Sequence, residues 1–267
     1  MTLNAIIGAT CKRLGLRFNA VFDEGQFSRD LPRFVRTNAT EFLSYGNADI
    51  AFVRGLPVHK GFHIVRDPRD IVVSAYFSHL HSHSTSKWPE LQQHRDKLKS
   101  LSMADGLAEE IAFRKRSFGH MSSWNYEQPH ILEIRFEDFI GSNYETLLQV
   151  FTFLGLVQTD RFHAGHRLIG LYRDVAAYVG RKTNWALPAR IGPRTLSVPE
   201  LLTITWRNSF QFRSKGRTAG EEDKRSHYRK GKSGDWSEHF EDRHRDLFKE
   251  LYPGLIPQLR YHPDDNW

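Results

Sequence analysis

Residues 61–79 read GFHIVRDPRDIVVSAYFSH, and how this stretch is parsed decides the fold. Phe62 to Val65 form an apolar run of strand length. Arg66-Asp67-Pro68-Arg69-Asp70 interrupts it with four charges and a proline, and apolar residues then return in a different rhythm. Asp67 suits a helix cap, Pro68 the first helical position, and Asp70 the third, where an acidic side chain favours the helix dipole. The stretch therefore predicts a buried strand, a tight corner and a helix from Pro68 into the eighties. In an open α/β sheet such a corner lies at the carboxyl edge of the strands, where ligands bind. Arg66 beside free backbone N–H groups at a helix start makes an anion site. Capping alone leaves a second reading open, in which Arg66 pairs with Asp67 or Asp70 and merely completes a turn. Ser74 falls two turns into the helix.

Outward from this corner, strand and helix patterns alternate. LNAIIGATCKRL (3–14) spaces Leu3, Ile6, Ile7, Thr10 or Cys11, and Leu14 as one helical face, with Gly15 as a stop. LRFNAVF (16–22) and EFLSYG (41–46) read as strands, with residues 23–40 polar and loop-like between them. A helix over 103–124 carries an apolar stripe through Leu107, Ile111 and Phe118. HILEIRF (130–136) reads as a strand, and SNYETLLQVFTFLG (142–155) as a helix with a Ser142–Glu145 capping box, ending at Gly155. Helical patches at 162–179 and 199–206 lie in a weaker, irregular helical insertion over 156–226, followed by a last helix from Trp236 to Leu251. The alternation predicts an α/β protein with a mostly parallel sheet, and one domain over 1–267 is the simplest account.

Composition sets outer bounds. The 267 residues carry 38 Lys and Arg against 31 Asp and Glu, a formal charge of +7 that favours anionic partners only weakly. Cys11 is the one cysteine, which excludes an internal disulfide and a multi-cysteine zinc site. No apolar run approaches membrane-spanning length and no signal-peptide layout opens the chain, so the expected location is cytoplasmic, without stable membrane insertion. The basic residues and six tryptophans are scattered rather than arranged as a nucleic-acid module, so no nucleic-acid partner is expected. HLHSH places His79 and His83 one helical turn apart, a zinc-compatible spacing with no evident third ligand; a solvated helix face is the default, and no metal is expected.

The second informative segment is KRSHYRKGKSGDWSEHF (224–240). Lys224, Arg225, Arg229, Lys230 and Lys232 crowd around Gly231, and Gly234 precedes Asp235 and Trp236. Glycines let backbone N–H groups converge and a bulky anion approach. Asp235 with Glu238 reads as the cap of the final helix. A solvated basic loop before a helix has the same composition.

Together the two segments resemble the sulfotransferases that use 3′-phosphoadenosine-5′-phosphosulfate (PAPS). In that family an arginine at a strand–helix corner and a serine eight positions later hold the donor's 3′-phosphate, and Arg66 and Ser74 match them. A basic Arg-Lys-Gly triplet running into Gly-Asp-Trp is the second signature, matched by Arg229, Lys230 and Gly231 before Gly234-Asp235-Trp236, with the similar strand ILEIRFEDF (131–139) in between. The resemblance covers about 61–80, 131–155 and 226–240. It implies a three-layer sheet of the P-loop nucleotide-binding type, PAPS as co-substrate and no obligatory metal. It also implies sulfuryl transfer to a hydroxyl or amine of a small-molecule or glycan acceptor, with acceptor specificity in the 156–220 region. It implies no particular oligomeric state.

Two parts of the family pattern are not matched. The phosphosulfate loop that follows the family's first strand has no counterpart, since no helix separates IIGATCK (6–12) from LRFNAVF. The chain is thus expected to start downstream of that strand and loop, either because Met1 is not the natural start or because the protein is a non-catalytic relative that binds adenosine 3′,5′-bisphosphate weakly. The histidine base of many members is also missing from LSYGNADI (43–50). Other branches use a glutamate after the first helix and strand, where Glu24 stands in VFDEGQF, and Glu24 is the candidate general base; a surface carboxylate is the alternative. A nucleotide kinase would share the sheet logic but should show Gly-x-x-x-x-Gly-Lys-Ser/Thr, which this chain lacks.

Overall fold

A computed structural model of the chain describes residues 3–86, 88–141, 143–158, 164–183, 194–209, 212 and 233–267. The chain divides into two compact units, one of residues 1–62, 128–132 and 142–213, the other of residues 63–127, 133–141 and 214–267. Together they give a mixed α/β protein whose strands form small two-stranded sheets.

In the first unit, helix α1 (Leu3–Leu14) buries Ile6, Ile7, Thr10, Cys11 and Leu14, the face its spacing predicted. Strand β1 (Phe18–Val21) pairs in parallel with β2 (Phe42–Tyr45), with Phe18 opposite Phe42 and Val21 opposite Tyr45. The connection between them is not the expected loop. It holds a 3₁₀ turn (Glu24–Phe27) and helix α2 (Leu31–Thr37), capped by the Asp30 side chain on Arg33 N–H at 2.9 Å and carrying a proline in its first turn. The apolar positions Phe27, Leu31 and Phe34 were diluted by charge in the sequence, but they close over Val21 as a small core. Helix α3 (Ile50–Val53) follows.

Helix α9 (Asn143–Phe153) ends at Gly155, whose φ of +71° suits the stop read from the sequence; its expected cap, Ser142, lies outside the described residues. Strand β5 (Val157–Gln158) pairs in parallel with β6 (Leu196–Ser197). Helices α10 (Ala164–Lys182) and α11 (Val198–Arg207) occupy the two helical patches of the insertion, and α11 packs on both α1 and α9. Arg13 of α1 fastens this arrangement. Its guanidinium bonds Glu200 Oε1 at 2.7 and 2.9 Å, Asp174 Oδ1 at 2.7 Å and the Gly170 carbonyl at 3.1 Å.

In the second unit, helix α4 (Pro68–Phe77) follows the end of strand β3 (Gly61–Val65) and runs into a π-helical turn, Ser78–Ser82. Helices α5 (Pro89–Lys99), α6 (Met103–Phe113) and α7 (Lys115–Ser123) come next; the single helix expected over 103–124 is divided at Arg114. Strand β4 (Ile131–Arg135) pairs with β3 and leads directly into α8 (Phe136–Gly141). A 3₁₀ turn, Asp235–Glu238, precedes α12 (Asp242–Leu251) and α13 (Leu255–Gln258). The final helix thus starts later than Trp236. Asp235 does not cap it; Glu241 does, and its N–H donates to His244 Nδ1 at 2.9 Å. The core gathers Val72, Val73, Tyr76, Leu107, Ile111, Phe118 and Phe248, so the predicted stripe on 107, 111 and 118 is buried. Among the described residues no helix is long and apolar enough to cross a membrane.

Candidate functional site

The corner between β3 and α4 is built by its own charges. Asp67 caps the helix, Oδ1 accepting from Arg69 N–H at 2.9 Å. The Arg69 side chain folds back onto the same carboxylate, Nε to Oδ1 at 2.9 Å and Nη2 to Oδ2 at 2.7 Å, and both residues are buried. Of the two cations in the interruption, Arg69 is therefore consumed by structure. Its guanidinium lies over the rings of Trp236 at 3.9 Å and Trp267 at 4.7 Å, a cation–π arrangement that draws the 3₁₀ turn onto the helix start. Arg66 is half-buried, its guanidinium carbon 4.8 Å from the centre of the Phe136 ring. Ser74 is half-buried in the second turn of α4.

The expected row of free backbone N–H groups beside Arg66 is not what forms. Asp67 N–H donates to Glu137 Oε1 at 3.3 Å, Arg69 N–H is taken by Asp67, and Pro68 has none. The helix's own cap and a carboxylate of α8 satisfy these donors. Glu137 also accepts from Tyr261 Oη at 2.6 Å. Burial, and donation to that carboxylate, push the phenol well above its ordinary range.

Asp70 does more than favour the helix dipole. The residue is 1% exposed; Oδ2 accepts from Gly234 N–H at 2.6 Å and Oδ1 from Trp236 N–H at 3.0 Å. The Gly-Asp-Trp end of the second segment is thereby bonded to the helix that begins after Arg66. Gly234 has φ +83°, a left-handed conformation that L side chains adopt only with strain. Burial raises the Asp70 pKa, opposed by the Gly234 hydrogen bond, by Arg66 and by the Trp236 hydrogen bond. Arg229, Lys230 and Gly231 lie outside the described residues. Glu24 is half-buried at the start of the 3₁₀ turn after β1, in the first unit, where the Asp23 side chain caps that turn.

No family model matches the sequence, and no curated protein matches it. Among solved structures, the chain is similar to mouse sulfotransferase SULT7A1 complexed with PAP, at 16% identity and a TM-score of 0.45, over 94% of this chain and 79% of that one.

A second constellation was only half visible in the sequence. His79 is not on a solvated face: it touches the His83 ring edge to face, with centroids 5.8 Å apart, but is buried and meets Glu110 of α6 and His94 of α5. His79 Nδ1 and His94 Nε2 lie 2.9 and 2.8 Å from the same oxygen, Glu110 Oε2, while Arg114 Nε is 2.8 Å from Oε1. His94 stacks on Phe113 with centroids 3.9 Å apart. A third group for His79 therefore exists, contrary to the sequence expectation. The set nevertheless fits a closed polar cluster better than a metal centre. Carboxylate and guanidinium already cancel, and a dication would bring two uncompensated charges into a buried place beside Arg114. The signal that could have found it is periodic: Glu110 follows Leu107 by three and His94 follows Leu91 by three, so each is a polar residue on an apolar face.

Proposed function

We propose that this protein is a sulfotransferase-type enzyme that binds PAPS and transfers its sulfuryl group to a hydroxyl or amine, on a three-layer sheet of the P-loop nucleotide-binding type. The observation that carries the reading is the pair of bonds from Gly234 and Trp236 to Asp70, which joins the two segments that bear the family's 3′-phosphate signatures. In this reading Arg66 and Ser74 hold the 3′-phosphate from the α4 side, and Arg229, Lys230 and Gly231 hold it from the other. The acceptor oxygen or nitrogen bonds to sulfur as the sulfur–oxygen bond to the 5′-phosphate breaks. The products are the sulfated acceptor and adenosine 3′,5′-bisphosphate, and Glu24 receives the acceptor's proton.

Isothermal titration tests the nucleotide half of the proposal. Binding of adenosine 3′,5′-bisphosphate without magnesium is the expected result, and preference for magnesium–ATP would instead favour phosphoryl transfer. Turnover of PAPS against a panel of sugar, phenol and amine acceptors tests the second half. Bisphosphate binding with no turnover on any acceptor identifies a non-catalytic relative.

A further inference from the structure

We infer that Asp70 is a positioning residue of the nucleotide site, a carboxylate that holds the glycine-rich segment in register with the start of α4. The inference rests on the sulfotransferase-type reading above. Asp70 is buried, and each of its oxygens takes one backbone N–H of a segment 164 to 166 residues away in sequence. Two bonds to two different oxygens fix the orientation of that segment as well as its distance. Only a carboxylate can do this. An amide side chain offers one acceptor oxygen and turns an NH₂ toward the second N–H, leaving a donor facing a donor. Burying the charge is costly, and a helix-dipole role alone would be served by an exposed acid.

The remaining contacts concentrate on the same joint. Arg69 is locked by Asp67 and lies over the rings of Trp236 and Trp267, so the Trp236 side chain is held by α4 as well as its N–H. Gly234 supplies the left-handed turn that presents the two N–H groups together, and a Cβ there would meet nothing within 4 Å. Its conformation, rather than lack of space, is what calls for glycine. Asp70 is thereby a device for holding the Gly234–Trp236 turn against the start of α4.

The test uses the full chain with two probes, adenosine 3′,5′-bisphosphate and adenosine 5′-monophosphate, titrated into wild type, Asp70→Asn and Asp70→Glu. Wild type is expected to prefer the bisphosphate. Asp70→Asn should bind it at least tenfold more weakly while its affinity for the monophosphate moves less than twofold, and Asp70→Glu, which keeps two acceptor oxygens, should recover part of the preference. Amide hydrogen exchange at Gly234 and Trp236 should accelerate in the Asn variant. Should that variant fail to fold, Gly234→Ala probes the same joint through its backbone and should show the same selective loss. Equal loss on both nucleotides, or an unchanged preference in Asp70→Asn, overturns the positioning role. A wild type with no preference for the bisphosphate overturns the underlying site reading, and the positioning role with it.

Discussion

Replacing Glu110 by Gln is expected to be the most damaging conservative change in the second unit. The side chain is fully buried, and its two oxygens serve His79, His94 and Arg114. Glutamine keeps the shape but removes the charge that balances Arg114 and turns an NH₂ toward one of these donors. Breaking one partner of a buried pair costs about 3–5 kcal/mol. The charge balance around the carboxyl leads to a consistent figure. Burial raises the Glu110 pKa, but the two histidine hydrogen bonds and Arg114 outweigh it and hold the carboxyl at about 2 instead of 4.5. At about 1.4 kcal/mol per pH unit, that corresponds to about 3 kcal/mol. Against a typical total of about 5–15 kcal/mol, the variant should unfold at clearly lower urea, followed by tryptophan emission. The sign with pH follows. Glu110 binds its proton less readily folded than unfolded, so its contribution is complete above pH 4.5 and is lost as pH falls toward 2. His79 is shifted down as well, chiefly by burial, which outweighs the pull of Glu110, with Arg114 and His94 adding to the shift. Its contribution is complete above 6.5 and is lost as pH falls below that value. Wild type should therefore lose stability in two acid steps, and Glu110→Gln should lack the lower one. A loss below about 1 kcal/mol refutes the argument. So does a wild-type midpoint that rises with zinc and falls with chelator, which would make these three groups ligands.

Arg66→Ala removes a charge-assisted contact and should weaken adenosine 3′,5′-bisphosphate binding by about 1.5–3 kcal/mol by calorimetry; a change under twofold is incompatible with a 3′-phosphate role. Gly106→Ala sets two effects against each other. Helix propensity favours alanine by about 1 kcal/mol, but the new Cβ would lie 2.6 Å from Cε2 of the buried Tyr76 ring, and overpacking of that kind costs about 1–3 kcal/mol. Net destabilisation in urea is the expected outcome, and a more stable variant would show that the ring yields. Glu24→Gln should abolish sulfuryl transfer while leaving bisphosphate affinity unchanged, and normal turnover would remove Glu24 from the mechanism.

The elements were legible wherever local rules dominate. Asp67 and Pro68 announced the start of α4, the α1 stripe appeared on its buried face, and Gly155 ended α9. Helix α2 does not show in the periodicity because its apolar residues are few and spaced among charges, although Asp30 and Pro32 carry a start signal that outweighs that dilution. The Arg66 corner was legible as a place but not in its wiring. Glu137 and Asp67 take N–H groups that capping logic left for a ligand, and only the folded chain brings Glu137 there. Periodicity ties Asp70 to its own helix because it sees neighbours three and four residues away, whereas Gly234 and Trp236 are more than 160 residues off. The spacing of His79 to His83 marks the position, yet the polar partners of His79 come from two other helices, a relation that spacing within one helix does not encode.

The lone cysteine has a practical consequence. Cys11 is sealed on the buried face of α1 and its thiol is pushed up to about 12, first by burial and then by Glu41, so almost none of it is thiolate at neutral pH. Alkylating reagents will therefore modify the native protein only when α1 lifts away. Because the chain has one such group and it lies in the first unit, mass-resolved labelling over time becomes a clock for the opening of that unit alone.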